Sequence, residues 1–426
     1  MRAGAAPCWW SAICAVFIVS FMLSCSSAQL PNFNPDESRW ISRAHYLADV
    51  ADPFGETWQD QYMTRGQPPF GSYVTGLGLL LHGRDLATNP PWDFAQTWEA
   101  NLAAGARPVW ADLQAARSTS ALLVAATAVT LVGIASVFVP PGWALLAGLI
   151  FAVHPFSRYI GALATADAAF GLLIALAALA MAQYARRRSW QWAAAVGVLL
   201  GLGGATKLSP LAVAAALAIG GIALACGPEW IRPAGSRRFA GHGVLIAVAA
   251  GVAFLVVYPY LWPDPVGRTV NLFTFRVDEM AAQASDWPVM AVPTRAEALR
   301  RTALNFTDHY SLTGSLAAIM HVRPPRALPQ LEVLLAVTGV ALMARESLRA
   351  GLNSAQALVL ALLGGQVAIT IMGMRSEFDR YHLPAALLGA VAICVSVHAL
   401  YAWVWLALLA WRAGPPAPGE RVSARG

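Results

Sequence analysis

Two adjacent carboxylates and a guanidinium stand together in Pro35-Asp36-Glu37-Ser38-Arg39-Trp40, shortly after the first apolar run of the chain. A carboxylate there can take a proton from an attacking hydroxyl, or cap the start of a helix. Neighbouring side chains on a helix point about 100° apart, so both cannot face one ligand in the same way. Asp36 as an N-cap with Glu37 as a solvated first-turn charge is the plain structural reading. Arg39 alongside, in a chain so sparing with charge, favours a site.

Three more polar groups stand where an apolar chain would not waste them. Lys207 sits at the join of two apolar segments in GLGGATKLSP, where Ser209-Pro210 breaks the helix. An ionisable group at such a depth is costly and by default functional, though a lysine there can also snorkel to the interface. Asp167 opens the run ADAAFGLLIAL, with His154 and Arg158 just upstream. Arg380 and Tyr381, in RSEFDRYHLP, lead into the last apolar stretch, and a guanidinium fork suits phosphate oxygens. Gln67-Pro68-Pro69-Phe70 is a rigid turn that shapes a cavity wall beside the carboxylates.

The elements that hold these groups follow from composition. The 426 residues are 57% hydrophobic and 12% charged, about half the charge of an ordinary soluble domain. Apolar runs recur at the length that crosses a bilayer core, about 20 helical residues. The fold expected is an all-α polytopic membrane protein, a single bundle over 1–426 with about ten spans. The first is 9–24, read as a retained span rather than a cleaved signal. The others are 115–139, 143–160, 165–185, 190–207, 209–226, 243–262, 328–344, 354–373 and 384–411.

Arg186, Arg187, Arg188, Arg232, Arg237, Arg238, Arg345, Arg349 and the tail 412–426 then fall on one side. The positive-inside rule makes that side cytoplasmic, with both termini there. Two large external loops, 25–114 and 263–327, carry amphipathic helices, including Asp36 to about Asp52. Phe70–Leu81 is apolar but too short to span, so it is re-entrant or interfacial. Every odd polar feature lands on the external face.

The net charge of +6 is topology-setting charge in short loops, and no nucleic-acid role is expected. The five cysteines form no CxxC pair and no metal-ligand pattern. No nucleotide-binding or metalloprotease motif stands in a credible setting. No cofactor is expected, and a divalent cation has no support in the residues.

The order PDESRW, QPPFGSYVTGLGLLLHG, the turn at Asp167, GLGGATKLS and RYHLP resembles the polyprenyl-phosphate-dependent GT-C glycosyltransferases. More narrowly it resembles glycosyltransferase family 39, which holds protein O-mannosyltransferases and lipid A aminoarabinose transferases. The resemblance implies a bundle of the GT-C type in the cell (inner) membrane, with a periplasmic active site. It implies inverting transfer of a sugar from a polyprenyl-phosphate donor to an acceptor hydroxyl on a protein, lipid or glycan. Asp36 would be the general base, with Glu37 orienting the base or the acceptor. Arg39, Lys207, Arg380 and Tyr381 would hold the donor phosphate, and Asp167, Arg158, Gln67 and Pro68 would line the cavity. Where the family often has His-Pro-Pro-Leu or Glu-Lys-Pro, this chain has Gln67-Pro68-Pro69-Phe70, which removes a charge or imidazole from that loop. Acceptor recognition would come from the two external loops or a partner. A transporter or flippase of a lipid-linked envelope precursor is the alternative. It would show matching broken segments in two half-chains, and no such repeat is seen.

Overall fold

The structure is a computed structural model and describes residues 6–29, 33–227, 236–321 and 328–413. Arg232 and the tail beyond residue 413 lie outside the described residues. Among those described, the chain is helical, with a single isolated bridge, Ala291–Ser376, and no strand.

The longer helices are α1 (Ala6–Ala28), α2 (Pro35–Ser42), α3 (Phe70–Leu81), α4 (Trp110–Ala135), α5 (Pro141–Val153), α6 (Pro155–Ala162), α7 (Asp167–Arg187) and α8 (Trp190–Gly204). There follow α9 (Ser209–Cys226), α10 (Ser236–Val256), α11 (Pro265–Asp286), α12 (Arg295–Leu304), α13 (Leu328–Ala350), α14 (Ala355–Gly373) and α15 (Leu383–Ala413). Among the described residues seven helices are long and apolar enough to cross a membrane, and α5 with α6, bent by 58°, makes an eighth if the pair is one span. The bend falls at His154-Pro155, where His154 Nδ1 accepts from the Phe156 amide at 3.1 Å and so caps α6. The two remaining expected spans are helices too. One is α8, with 15 residues; the other is α13, which carries Glu332, Arg345, Glu346 and Arg349.

The core is a bundle in which α1 packs on α4, α4 on α5 and α7, and α13 on α15. Its interior is dominated by alanine, leucine and valine, small enough to bring helices close where lipid offers no hydrophobic drive. The pair α8–α10 shows this most directly. Gly197 and Gly201 lie one turn apart, and a Cβ added to either would stand 2.5 or 2.4 Å from the carbonyl oxygens of Ile246 and Ala250. The backbones touch, as small-xxx-small spacing permits.

The first large loop, 25–114, departs from a single amphipathic helix. After α2 the chain tightens into a 3-10 turn at Arg43–His45 before one more turn of α-helix, Tyr46–Asp49. The N-cap of α2 is Asn34 rather than Asp36. Asn34 Oδ1 accepts from the Asp36 amide at 3.0 Å, and Glu37 Oε2 accepts from the Asn34 amide at 3.0 Å. With Pro35 in the first turn this is a capping box. The helix buries Glu37, Ser38 and Ile41, leaving Asp36 part-exposed. The apolar stretch Phe70–Leu81 is a 12-residue helix, α3.

Glu37 ties this loop to the bundle. Its carboxylate is fully buried and receives Arg117 Nε at 2.8 Å and Nη2 at 2.7 Å from α4. It also accepts the amide of Ala164, in the turn before α7, at 2.9 Å. Arg117 Nη1 in turn donates to the carbonyl of Ala28 at the end of α1, at 2.8 Å.

Two outcomes follow for stability. Glu37→Gln strips the charge from a buried pair and should cost about 3–5 kcal/mol, seen as loss of folded protein in size-exclusion profiles and thermal melts. Gly201→Ala should cost about 1–3 kcal/mol by overpacking. Gly251→Ala on α10, where nothing lies within 4 Å of an added Cβ, should leave the melting temperature unchanged or raised.

Candidate active site

Four segments bring the site together, each positioned by its own local chemistry. Asp36 projects from the first turn of α2. Asp167 begins α7. Lys207 sits in the turn between α8 and α9, where Thr206 Oγ1 bonds to Gly203 O at 2.5 Å and Lys207 N to the same carbonyl at 2.9 Å. Arg380 and Tyr381 lie in a 3-10 turn, Asp379–His382, that leads into α15.

These side chains pair across the segments. Arg380 Nη1 donates to Asp36 Oδ2 at 2.5 Å, and both side chains are about a quarter exposed, 26% and 27%. Lys207 Nζ donates to Asp167 Oδ1, and Asp167 Oδ2 accepts from Thr165 Oγ1 at 2.8 Å. Asp167 is buried, whereas Lys207 keeps 24% of its side chain exposed. The two pairs belong to one field. Lys207 Nζ stands 5.3 Å from the ring centre of Tyr381, and Arg380 senses both Asp36 and Asp167.

The segment carrying Arg380 is strapped in place from the second large loop, 263–327. The Val292 amide bonds to Arg375 O and the Glu377 amide to Met290 O, each at 2.8 Å. Arg301 of α12 reaches Glu377 at 3.0 Å, and Tyr310 donates to Asp379 at 2.8 Å. On the other side, the Phe70 amide bonds to Ala205 O at 2.9 Å, so the Pro68-Pro69 turn rests on the Lys207 turn.

Several expected site residues sit elsewhere. Glu37 does not face the opening: both its oxygens are spent on Arg117, Ala164 and Asn34, so it holds the frame instead of orienting an acceptor. Arg39 donates to Trp92 O at 2.8 Å and lies 4.5 Å over the ring of Phe94. These contacts, with that of Arg39 over the Tyr62 ring, lie within the loop 25–114 and involve neither Lys207 nor Arg380. Arg158 reaches back to Ser27 Oγ at 3.1 Å; its neighbour Tyr159 is the residue that senses Asp36, Asp167, Asp379 and Arg380. Gln67 accepts from Arg43 Nη2, and Pro68 is buried.

Arg276 of α11 is a functional candidate that the sequence hides. It donates to Gly66 O at 3.2 Å and pairs with Glu279, which also accepts from Tyr62 at 2.9 Å. Its charge reaches Lys207 and Tyr381. In sequence it is one arginine on an ordinary amphipathic helix, and only its i,i+3 carboxylate marks it. Among the described residues no three His, Cys, Asp or Glu side chains converge as metal ligands.

The arrangement offers one accessible carboxylate beside three cations, Arg380, Lys207 and Arg276. Such a site can take a proton from an acceptor and neutralise an anionic leaving group.

Known proteins give this geometry a context. Residues 110–262 match the family model described as dolichyl-phosphate-mannose-protein mannosyltransferase. No curated protein matches the sequence. Among solved structures, the oligosaccharyltransferase AglB from Archaeoglobus fulgidus, in complex with an inhibitory peptide and a dolichol-phosphate, superposes with a TM-score of 0.54 at 11% identity, over 97% of this chain and 52% of that one. ArnT from Cupriavidus metallidurans bound to undecaprenyl phosphate gives 0.53 at 17% identity, over 93% of this chain and 60% of its own. This chain thus spans half to three fifths of the length of those proteins. At such identities the likeness is one of architecture: the chain has the GT-C fold of the polytopic membrane glycosyltransferases.

Proposed function

We propose that the chain transfers a sugar from a polyprenyl-phosphate donor to an acceptor hydroxyl, with inversion, at the external face of the membrane. The observation that carries this reading is the pairing of Asp36 with Arg380 beside Lys207 and Asp167. The dolichol-phosphate and undecaprenyl phosphate of the two similar structures give the donor class its support.

In this reaction the acceptor oxygen attacks C1 of the sugar as Asp36 takes its proton. The bond between C1 and the phosphate oxygen breaks, and the polyprenyl phosphate departs with the electron pair. Arg380, Lys207 and Arg276 hold that phosphate, so no acid need protonate it. Asp167 keeps Lys207 ionised and aimed. The reaction so written uses no cofactor.

Orientation follows from charge. The helix α7 places Asp167 and Arg187 at opposite ends of its 21 residues, about 30 Å apart. Arg188 donates to Asn353 O, so the arginine-rich end of α7 meets the loop between α13 and α14. The positive-inside rule puts that end in the cytoplasm and Asp36, Asp167 and Lys207 outside, in the inner membrane of the cell.

Asp36→Asn should fold normally and cut sugar transfer by about 10² or more, in line with a lost general base; unchanged transfer to an envelope acceptor, followed by mass spectrometry, would end the mechanism. Lys207→Gln, which can still donate to Asp167, should weaken binding of undecaprenyl phosphate to the chain in nanodiscs by about tenfold, on the scale of one lost charge-assisted contact. An unchanged affinity would take Lys207 out of the phosphate site.

A further inference from the structure

The helix α11 presents three different faces. At about 100° per residue, Leu272, Arg276 and Glu279 fall on one side, where Leu272 is buried, Arg276 donates to Gly66 O and Glu279 accepts from Tyr62. Asn271, Thr274, Asp278 and Ser285 form a second side, polar and exposed. Val266, Val270, Phe273 and Val277 form the third. They recur at steps of four, three and four residues, the spacing of one continuous stripe, and all four are exposed, from 77% at Val266 to 42% at Phe273. Left in water, such a stripe forfeits the free energy of burying it.

What covers the stripe follows from where the helix lies. Just before it, Trp262 Nε1 donates to Leu255 O at 2.7 Å, in the last turn of α10. At its middle, Arg276 holds Gly66 O, and the nearby Phe70 amide holds Ala205 O at the end of α8. Just after it, Met290 O accepts from the Glu377 amide, shortly before α15 begins. The 22 residues of α11, about 33 Å long, are thus tied along the ends of apolar helices instead of rising away from them.

The apolar surface continues from one helix to the next. Val244, Val248, Val252 and Val256 are exposed at steps of four along α10, a candidate span, and exposed Trp262 leads on to Val266. Trp262 and Trp287 flank α11, both exposed, and tryptophan favours the boundary between lipid and water. Four side chains fall well short of the roughly 20–30 residues per side that a stable protein interface takes. A helix lying in a membrane interface needs only a stripe of this kind, opposite a polar face.

We infer that α11 is seated in the membrane leaflet on the Asp36 side, with its valine stripe among the acyl chains, and that this lipid contact holds Arg276 at the phosphate site. The seating stands on geometry alone; the role of Arg276 rests on the proposed transfer reaction.

The seating is tested with nitroxide labels on Val270→Cys, Val277→Cys, Asn271→Cys and Asp278→Cys, each in a cysteine-free version of the full chain. The chain is reconstituted in liposomes of phosphatidylethanolamine and phosphatidylglycerol. Labels at 270 and 277 should collide more with oxygen than with a water-soluble nickel chelate, at a depth of about 5–10 Å. Labels at 271 and 278 should show the reverse. Water-side behaviour at 270 and 277 would overturn the inference, as would shielding from both reagents, the mark of a protein partner. Binding of undecaprenyl phosphate to the chain in nanodiscs tests the hold on Arg276. Val270→Glu with Val277→Glu should weaken it at least threefold, while Asn271→Glu with Thr274→Glu leaves it unchanged, both with the melting temperature kept. If the valine pair fails to fold, Val270→Asn with Val277→Asn takes its place. An unchanged affinity in the folded valine variant would overturn the hold on Arg276. Lipid-facing labels on a chain that binds no undecaprenyl phosphate would keep the seating and count against the transfer reaction. Transfer by a chain with water-facing labels would remove the seating and leave the reaction standing.

Discussion

The carboxylate of Glu37 has no access to water, and the site is built on the consequence. A buried charge must be met by an opposite charge and by hydrogen bonds to its remaining lone pairs. Arg117 supplies two donors, and the amides of Ala164 and Asn34 supply the others. Those donors come from α4, from the turn before α7 and from the start of α2, and Arg117 adds the end of α1. One carboxylate therefore fixes the residue next to Asp36 against the residues just before Asp167. The adjacency of Asp36 and Glu37 makes sense in these terms: Glu37 points inward and sets position, while Asp36 stays part-exposed and pairs with Arg380.

The remaining parts meet where helices stop. Irregular backbone inside a bilayer is tolerated only where protein or water satisfies it, and each break here is so satisfied. The Lys207 turn is closed by Gly203 O and by the Phe70 amide on Ala205 O. His154 caps the bent pair α5–α6. The Arg380 segment is held by backbone bonds to Met290 and Val292 and by Arg301 on Glu377. Close backbone packing of α8 on α10 at Gly197 and Gly201 holds the helix that ends at the Lys207 turn. The site is thus placed by rigid helix ends, and by hydrogen-bonded struts from the long loop 263–327.

Much of this was legible in the residues. Apolar runs located the helices long and apolar enough to cross a membrane, though not the 22-residue helix α11, and Lys207, Asp167 and Arg380 stood out because an apolar chain tolerates few charges. The bounds of Phe70–Leu81 as one apolar stretch match the helix that forms there. What could not be read was direction. Glu37 and Asp36 are one residue apart with the same chemistry, and only tertiary packing decides which is buried. Arg39, Arg158 and Arg276 show the same limit: each is an arginine near the right segment, and the partners Trp92, Ser27 and Glu279 that settle their places lie 53, 131 and 3 residues away.

The balance of charge in the site bears on the order of events in the proposed reaction. Three cations, Arg380, Lys207 and Arg276, are matched by three carboxylates, Asp36, Asp167 and Glu279. The unliganded site is therefore close to neutral, which a part-buried setting favours over three bare cations. A donor phosphate brings negative charge into that balance and must draw on a cation that already has a partner. Asp167 is buried with Lys207 and Thr165, so releasing Lys207 would strand a carboxylate away from water. Asp36 is part-exposed, and its loss of Arg380 can be made good by water or by the acceptor hydroxyl itself. The Asp36–Arg380 pair is then the one that yields. In the proposed reaction, arrival of the donor phosphate and release of Asp36 from Arg380 toward the acceptor are therefore one electrostatic event.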